Sequence, residues 1–249
     1  MKSLHLLSLC LSLVICQQFA RTQNVYSKQD EKTGLYGFVD TDDKYIVKPV
    51  YKEVDFNFGN KPGLSKVINN YDKTGFVNES GKEVVPCKYD EASSFENGFT
   101  VVKIKTGDYE FKYGLMDSTG KEVIPLKYGR MEYYPKDKVI VVGETNISDV
   151  GLADLTGKIL IPLQYEFWSK TVSKGLWPVG KNNICGVVNL KNDIVVPFIY
   201  EMIESYSDET DLAAAKKDGK YGFIDRTGKV VISFDYDDGW PSGPYIVAP

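Results

Sequence analysis

Side chains able to do chemistry are few, and their types exclude more than they suggest. The 249-residue chain holds one histidine, His5, and four cysteines. His5, Cys10 and Cys16 all fall in the N-terminal run MKSLHLLSLCLSLVICQQFARTQ, where one early lysine precedes an apolar stretch from Leu6 to Cys16. That stretch is too short to cross a bilayer as a helix and has the length of a secretory signal. Removal of residues 1–22 is expected, with Ala20-Arg21-Thr22 placing small residues ahead of Gln23. Leu13-Val-Ile-Cys16 offers the alternative of a lipoprotein box with lipid on Cys16. Either way the exported chain contains no histidine. Ser-His-Asp and Cys-His relays and histidine zinc sites then drop out, and only carboxylate, lysine or tyrosine chemistry remains.

The carboxylates do not assemble into a known pattern. DTDD (40–43) could offer oxygens to calcium but lacks the glycine and remaining ligands of a calcium loop, so a solvated turn is the preferred reading. Asp237-Asp238, Glu201/Glu204 and Asp208/Glu209 could in principle serve a glycosidase or lyase, but read more simply as solvated acidic loops. The recurring TGK has no GxxxxGK[ST] spacing and is a turn, not a phosphate loop. Cys87 and Cys185 sit at non-equivalent places and read as two buried thiols, not a disulfide. Without Lys2 and Arg21, 28 basic residues face 34 acidic ones, a net charge of −6 that gives no footprint for nucleic acid. No catalytic residue, metal or cofactor is expected.

The elements that would have to position any site announce themselves by repetition. YGFVD (36–40), YGLMD (113–117) and YGFID (221–225) are three spellings of one phrase, and its glycines, Gly37, Gly75, Gly114, Gly151, Gly186 and Gly222, lie 38, 39, 37, 35 and 36 residues apart. Each is followed by two apolar residues and then Asp40, Asn78, Asp117, Asp154, Asn189 or Asp225. An acid or amide there accepts backbone N–H groups and a glycine shortly after supplies positive φ, so these six residues are turn formers. An apolar run then ends in Pro49, Pro86, Pro125, Pro162 or Pro197, with Ser233 in the sixth copy, and a tyrosine follows within three residues. Proline in such a strand confines it to an edge or ends its pairing. EASSF (91–95) and FTVVKI (99–104) suggest two further short strands, four antiparallel strands per unit.

Apolar doublets such as Phe38-Val39, Val84-Val85, Val101-Val102 and Phe223-Ile224 indicate sheets buried on both faces. Small sheets of that kind stack as the blades of a propeller or the rungs of an array. The chain therefore reads as all-β, with six repeats of about 37 residues over 35–249 forming a six-bladed propeller or an open curved array. Residues 23–34 precede the first unit and contain a strand, NVYSKQ (24–29), that either clasps the last blade or caps one end; PYIVAP (244–249) is a further strand of that type.

TGFVNESGKEVVPCKYDEASSFENGFTVVK (74–103), KYGLMDSTGKEVIPLKY (112–128) and KYGFIDRTGKVV (220–231) resemble the WG, or KWG, repeat of bacterial proteins, with Tyr, Thr, Val or Cys where that family often has Trp. The resemblance implies a repetitive β-protein that mediates binding, with no catalytic residues to carry over.

Aromatic residues outside the repeat's spelling are the candidate binding residues. Trp168 falls at a core position, but Trp177 aligns with Thr100 beside Pro178 and reads as an edge residue, and Trp240 sits in the turn-rich DDGWPSGP. With Tyr133 and Tyr134 they form the expected aromatic surface. The function expected is a secreted, periplasmic or envelope binding module, not an enzyme, for a protein or peptide partner, with a glycan second. A propeller enzyme using carboxylate or tyrosine and a purely structural envelope protein are the competing readings.

Overall fold

The computed structural model describes residues 25–55, 58, 63–145, 149–168 and 172–237. Among them no helix occurs, and 23 strands form six antiparallel sheets. Each complete sheet runs, in space and in sequence, through an opening strand, a second strand, a glycine strand and a proline strand. Among the described residues the first sheet shows the last three roles, Tyr26–Gln29, Tyr36–Val39 and Tyr45–Tyr51. The second comprises Glu53–Val54, Leu64–Ile68, Thr74–Asn78 and Glu83–Tyr89, and the third Glu91–Ala92, Phe99–Lys105, Phe111–Asp117 and Glu122–Tyr128. The fourth comprises Arg130–Tyr134, Val139–Gly143, Val150–Asp154 and Ile159–Tyr165, and the fifth Phe167–Trp168, Leu176–Lys181, Ile184–Asn189 and Ile194–Tyr200. Met202–Ile203, Leu212–Lys217, Lys220–Asp225 and Val230–Tyr236 make the sixth.

The four-strand blueprint holds, but the sheet and the sequence unit are out of phase. A single residue, Lys52, Asp90, Gly129, Glu166 or Glu201, separates a proline strand from the opening strand of the next sheet. Its amide donates to the second strand of that sheet, as Asp90 does to the Lys103 carbonyl at 2.9 Å. The chain thus changes sheets after the tyrosine, and each sheet joins the second half of one copy to the first half of the next. The strand expected at 24–29 is the second strand of the first sheet, pairing Tyr26 with Val39 and Gln29 with Tyr36. The strand expected at 244–249 lies outside the described residues.

Close approach explains the glycine of the phrase. In every sheet the proline strand bulges opposite it: Tyr36 pairs with Tyr51 but Phe38 with Val47, and Val150 pairs with Tyr165 but Leu152 with Ile161. The bulge presses the backbone of the proline strand onto the glycine. A Cβ on Gly151 would stand 2.3 Å from the Ile161 carbonyl oxygen, and one on Gly37 2.4 Å from that of Val47. No side chain fits there, whatever φ it adopts.

The core is divided among the sheet interfaces. Phe38, Val67 and Val77 fill the gap between sheets one and two, and Phe76, Val85, Val102 and Met116 the next. Leu115, Ile124, Ile140 and Ala153 join sheets three and four, Leu152, Ile161, Trp177 and Val188 sheets four and five, and Val187, Val196, Ala213 and Ile224 sheets five and six. This is the face-to-face stacking of propeller blades, with both faces of the interior sheets buried. Among the described residues no core cluster or strand pairing joins the sixth sheet to the first.

Candidate functional site

The six acids and amides that follow the glycine phrase are committed to turns. Asp154 Oδ1 accepts the Thr156 amide at 2.8 Å, the Thr156 hydroxyl at 2.6 Å and the Lys158 amide at 3.1 Å. Asn78 and Asn189 accept the equivalent amides, and Asp40 does so from Asp42 and Lys44. Of the two thiols expected to be buried, Cys185 is, whereas Cys87 is only half-buried. Cys87 and Cys185 are free, and burial pushes Cys87 up to about 12 with Glu83 adding to it. Burial raises Cys185 as well.

The fourth sheet departs from the pattern in one place. Its opening strand has five residues, RMEYY, instead of two, and pairs along its whole length from Arg130 opposite Gly143 to Tyr134 opposite Val139. Alternation explains the extension: Met131 turns into the core at 6% exposure while Glu132 faces out. Tyr133 packs edge-on against Phe99 of the third sheet, with ring centres 6.1 Å apart. Its hydroxyl is shielded from solvent and makes no hydrogen bond of normal geometry, while the nearby Asn97 carboxamide donates to the Pro135 carbonyl at 3.1 Å. Burial raises the Tyr133 phenol above its ordinary value, with Asn97 pulling the other way. Tyr134 is half-buried and donates from Oη to Glu132 Oε2 at 2.9 Å.

The two tyrosines wall a cleft of about 620 Å³ between the opening strands of sheets three and four. Glu91, Glu96 and Glu132 contribute acid to its rim, and Lys103 the one cation, which pairs with Glu91 at 2.8 Å. Tyr134 also faces a second cavity of about 230 Å³, shared with Asp137, Ser173, Tyr206 and Asp208. There burial raises the Asp137 carboxyl, opposed chiefly by a hydrogen bond from the Gly175 amide. A polar lattice ties the loops around this cavity together. Lys136 pairs with Asp208, Ser173 Oγ bonds Asp208 Oδ1 at 3.2 Å, and Arg226 donates to the Ser173 carbonyl at 2.9 Å and hydroxyl at 3.0 Å. Arg226 also reaches Asp211 at 2.7 Å and lies 4.9 Å above the Tyr206 ring. Loops from sheets four, five and six are fixed relative to one another by these contacts.

The structure thus brings Tyr133 and Tyr134 together at a cleft and separates them from Trp177. Trp177 is no surface residue: it is fully buried, edge-on to Tyr165 with ring centres 6.0 Å apart, and its Nε1 has no hydrogen-bond partner. The alignment with Thr100 was sound, but Thr100, Ser65, Ile140 and Ala213, all at the same place in the second strand, are also 0% exposed. Small polar residues at a core position disguised it as surface. Pro178 is accommodated because the opening strand of that sheet pairs only with Val179 and Gly180, so the missing amide breaks no ladder. Trp168 pairs through its backbone with Val179, and its side chain lies outside the described residues, as does all of Trp240. The extended opening strand has a readable signal in the alternating RMEYY before Pro135.

An all-β protein of stacked antiparallel sheets, with a tyrosine-walled cleft between two of them, is what fold and site define. The model of the WG containing repeat matches residues 36–71, 75–105, 113–142, 151–183, 186–221 and 221–241, and the chain belongs to that family. No curated protein matches it in sequence. Among solved structures it is similar to a eukaryotic initiation factor, at 10% identity and a TM-score of 0.47, over 84% of this chain and 61% of the other. It is also similar to Hsv2p of Kluyveromyces lactis, at 11% identity and a TM-score of 0.40, over 77% of this chain and 68% of that one. With BamB of Moraxella catarrhalis the figures are 9%, 0.35, 83% and 71%. The chain spans less than two thirds of the initiation factor's length.

Proposed function

We propose that the protein is an exported, non-catalytic binding module whose cleft between sheets three and four holds a protein or peptide segment. The observation that carries this reading is the cleft of about 620 Å³ walled by Tyr133 and Tyr134 on the one opening strand that is extended among the described residues. Tyrosine offers large contact area at small conformational cost and is enriched among residues that dominate interfaces. A glycan is the second ligand within the same class. Export rests on the signal-length apolar segment at the N-terminus, and the remaining chain has no helix among its described residues long and apolar enough to cross a membrane.

Residues 23–249 used as bait against the envelope and secreted fractions of the native host should capture a partner, and Tyr134→Ala should weaken its measured affinity about tenfold or more, roughly 1.4 kcal/mol. The melting temperature of that variant should stay unchanged. Equal affinity in the folded variant would remove the cleft as the site. The three glutamates at the rim favour a second reading, a glycan-processing enzyme working through carboxylates. Release of product from envelope glycans that disappears with Glu132→Gln would replace the first reading by the second.

A further inference from the structure

Each proline strand is the edge of its sheet, open to pairing with another chain unless something blunts it. Pro86, Pro125, Pro162 and Pro197 blunt four of the six by removing the same amide at the bulge, and the first edge carries its proline, Pro49, one position later. The sixth, VVISFDY from Val230 to Tyr236, carries Ser233 there and keeps its full set of backbone donors. It is also the most apolar surface of its kind. Val230, Val231 and Tyr236 are 46%, 51% and 54% exposed, and Ile232 is half-buried where its counterparts Ile161 and Val196 are 0% exposed. The bulge persists, with Tyr221 opposite Tyr236 and Phe223 opposite Ile232, so proline is what distinguishes the other five edges. Among the described residues no strand pairs with this one on its free side.

We infer that this edge pairs antiparallel with the same edge of a second copy of the chain, about a two-fold axis near Ser233. Charge and shape select that occupant. In this register Lys229 of each copy lies opposite the second copy's Asp237, Val230 opposite its Tyr236, and Ile232 opposite its Phe234. Asp237 is 82% exposed and among the described residues pairs with Lys220 alone, which leaves room for a second cation. Asp235, which would otherwise face Val231, is drawn back by a hydrogen bond from the Ser233 hydroxyl of its own strand. The Lys229–Asp237 pair forms twice, once on each side of the axis, and opposite-charge and apolar cross-strand pairs are the units that stabilise antiparallel pairing.

The repeat supplies its own control, since sheets two to five hold proline at the Ser233 position and fold. Sedimentation of the full chain over a range of concentrations should show a reversible dimer. Ser233→Pro should weaken self-association about tenfold or more while leaving the melting temperature unchanged, and Lys229→Asp should weaken it too. Combining Lys229→Asp with Asp237→Lys should restore it. A wild-type chain that is monomeric at every concentration, as it would be if another segment of the chain held this edge, overturns the inference. A dimer indifferent to Ser233→Pro and to charge reversal overturns it equally.

Discussion

Asp154 and Asp225 show how a motif that reads as acid chemistry is spent on conformation. Both carboxyls are held below the usual carboxylate range, first by hydrogen bonds from the hydroxyls of Thr156 and Thr227. A carboxyl depressed in the folded state stabilises the fold above its unfolded pKa, about 4, and that contribution is lost as pH falls through the folded value. Melting temperature should therefore drop as pH is lowered from neutral through 4 and below. Asp154→Asn should keep the neutral-pH stability, because Asn78 and Asn189 fill the same role, while lessening the acid sensitivity. Asp154→Ala, which leaves three donors without their acceptor, should cost about 1–2 kcal/mol by denaturant unfolding. Trp177 makes the opposite point. Its ring fills the interface of sheets four and five, so Trp177→Ala should cost about 3–5 kcal/mol, whereas Trp177→Phe, which removes a buried unpaired N–H, should cost far less. Neither should alter partner affinity of the folded protein. Sequence could reveal the turn acids because their partners are local. It could not reveal the burial of Trp177, because what covers that residue is Tyr165 and its neighbours in the adjoining sheet.

At the scale of the element, the strands were legible and their grouping was not. Glycine, acid, turn, proline and tyrosine recur in order, so strand positions follow from local chemistry. Which four strands share a sheet depends on where the chain crosses over, and the single-residue junctions carry no turn signature. The displacement has a testable consequence. Ending the chain at Tyr200 leaves five whole sheets, whereas removing residues 221–249 strands Met202–Ile203 and Leu212–Lys217 without their glycine and proline strands. The longer of these truncated proteins should be the less stable. Circular dichroism melting and light scattering should find the chain ending at Tyr200 folded, with reduced stability, and the chain ending at Lys220 aggregating. The same melting temperature for both would mean that the sixth sheet is not a cooperative element.

For the whole molecule, the stacking of sheets is legible in the apolar doublets, whereas the sequence points to Tyr133 and Tyr134 as surface aromatics without indicating a cleft. Nothing in the spelling of RMEYY says that Glu91 and Glu96 of another sheet will stand across from it. The neighbours along the stack are set by chain order, so the core is a sum of interfaces between adjacent sheets. The half-unit offset between sheet and repeat bears on how such a chain can change over generations. Loss or duplication of one glycine-to-glycine length removes or adds one complete sheet wherever in the unit its breakpoints fall, because either half of any copy can complete the half before it. Inheritance can therefore alter the length of the stack in whole steps without having to invent a new core.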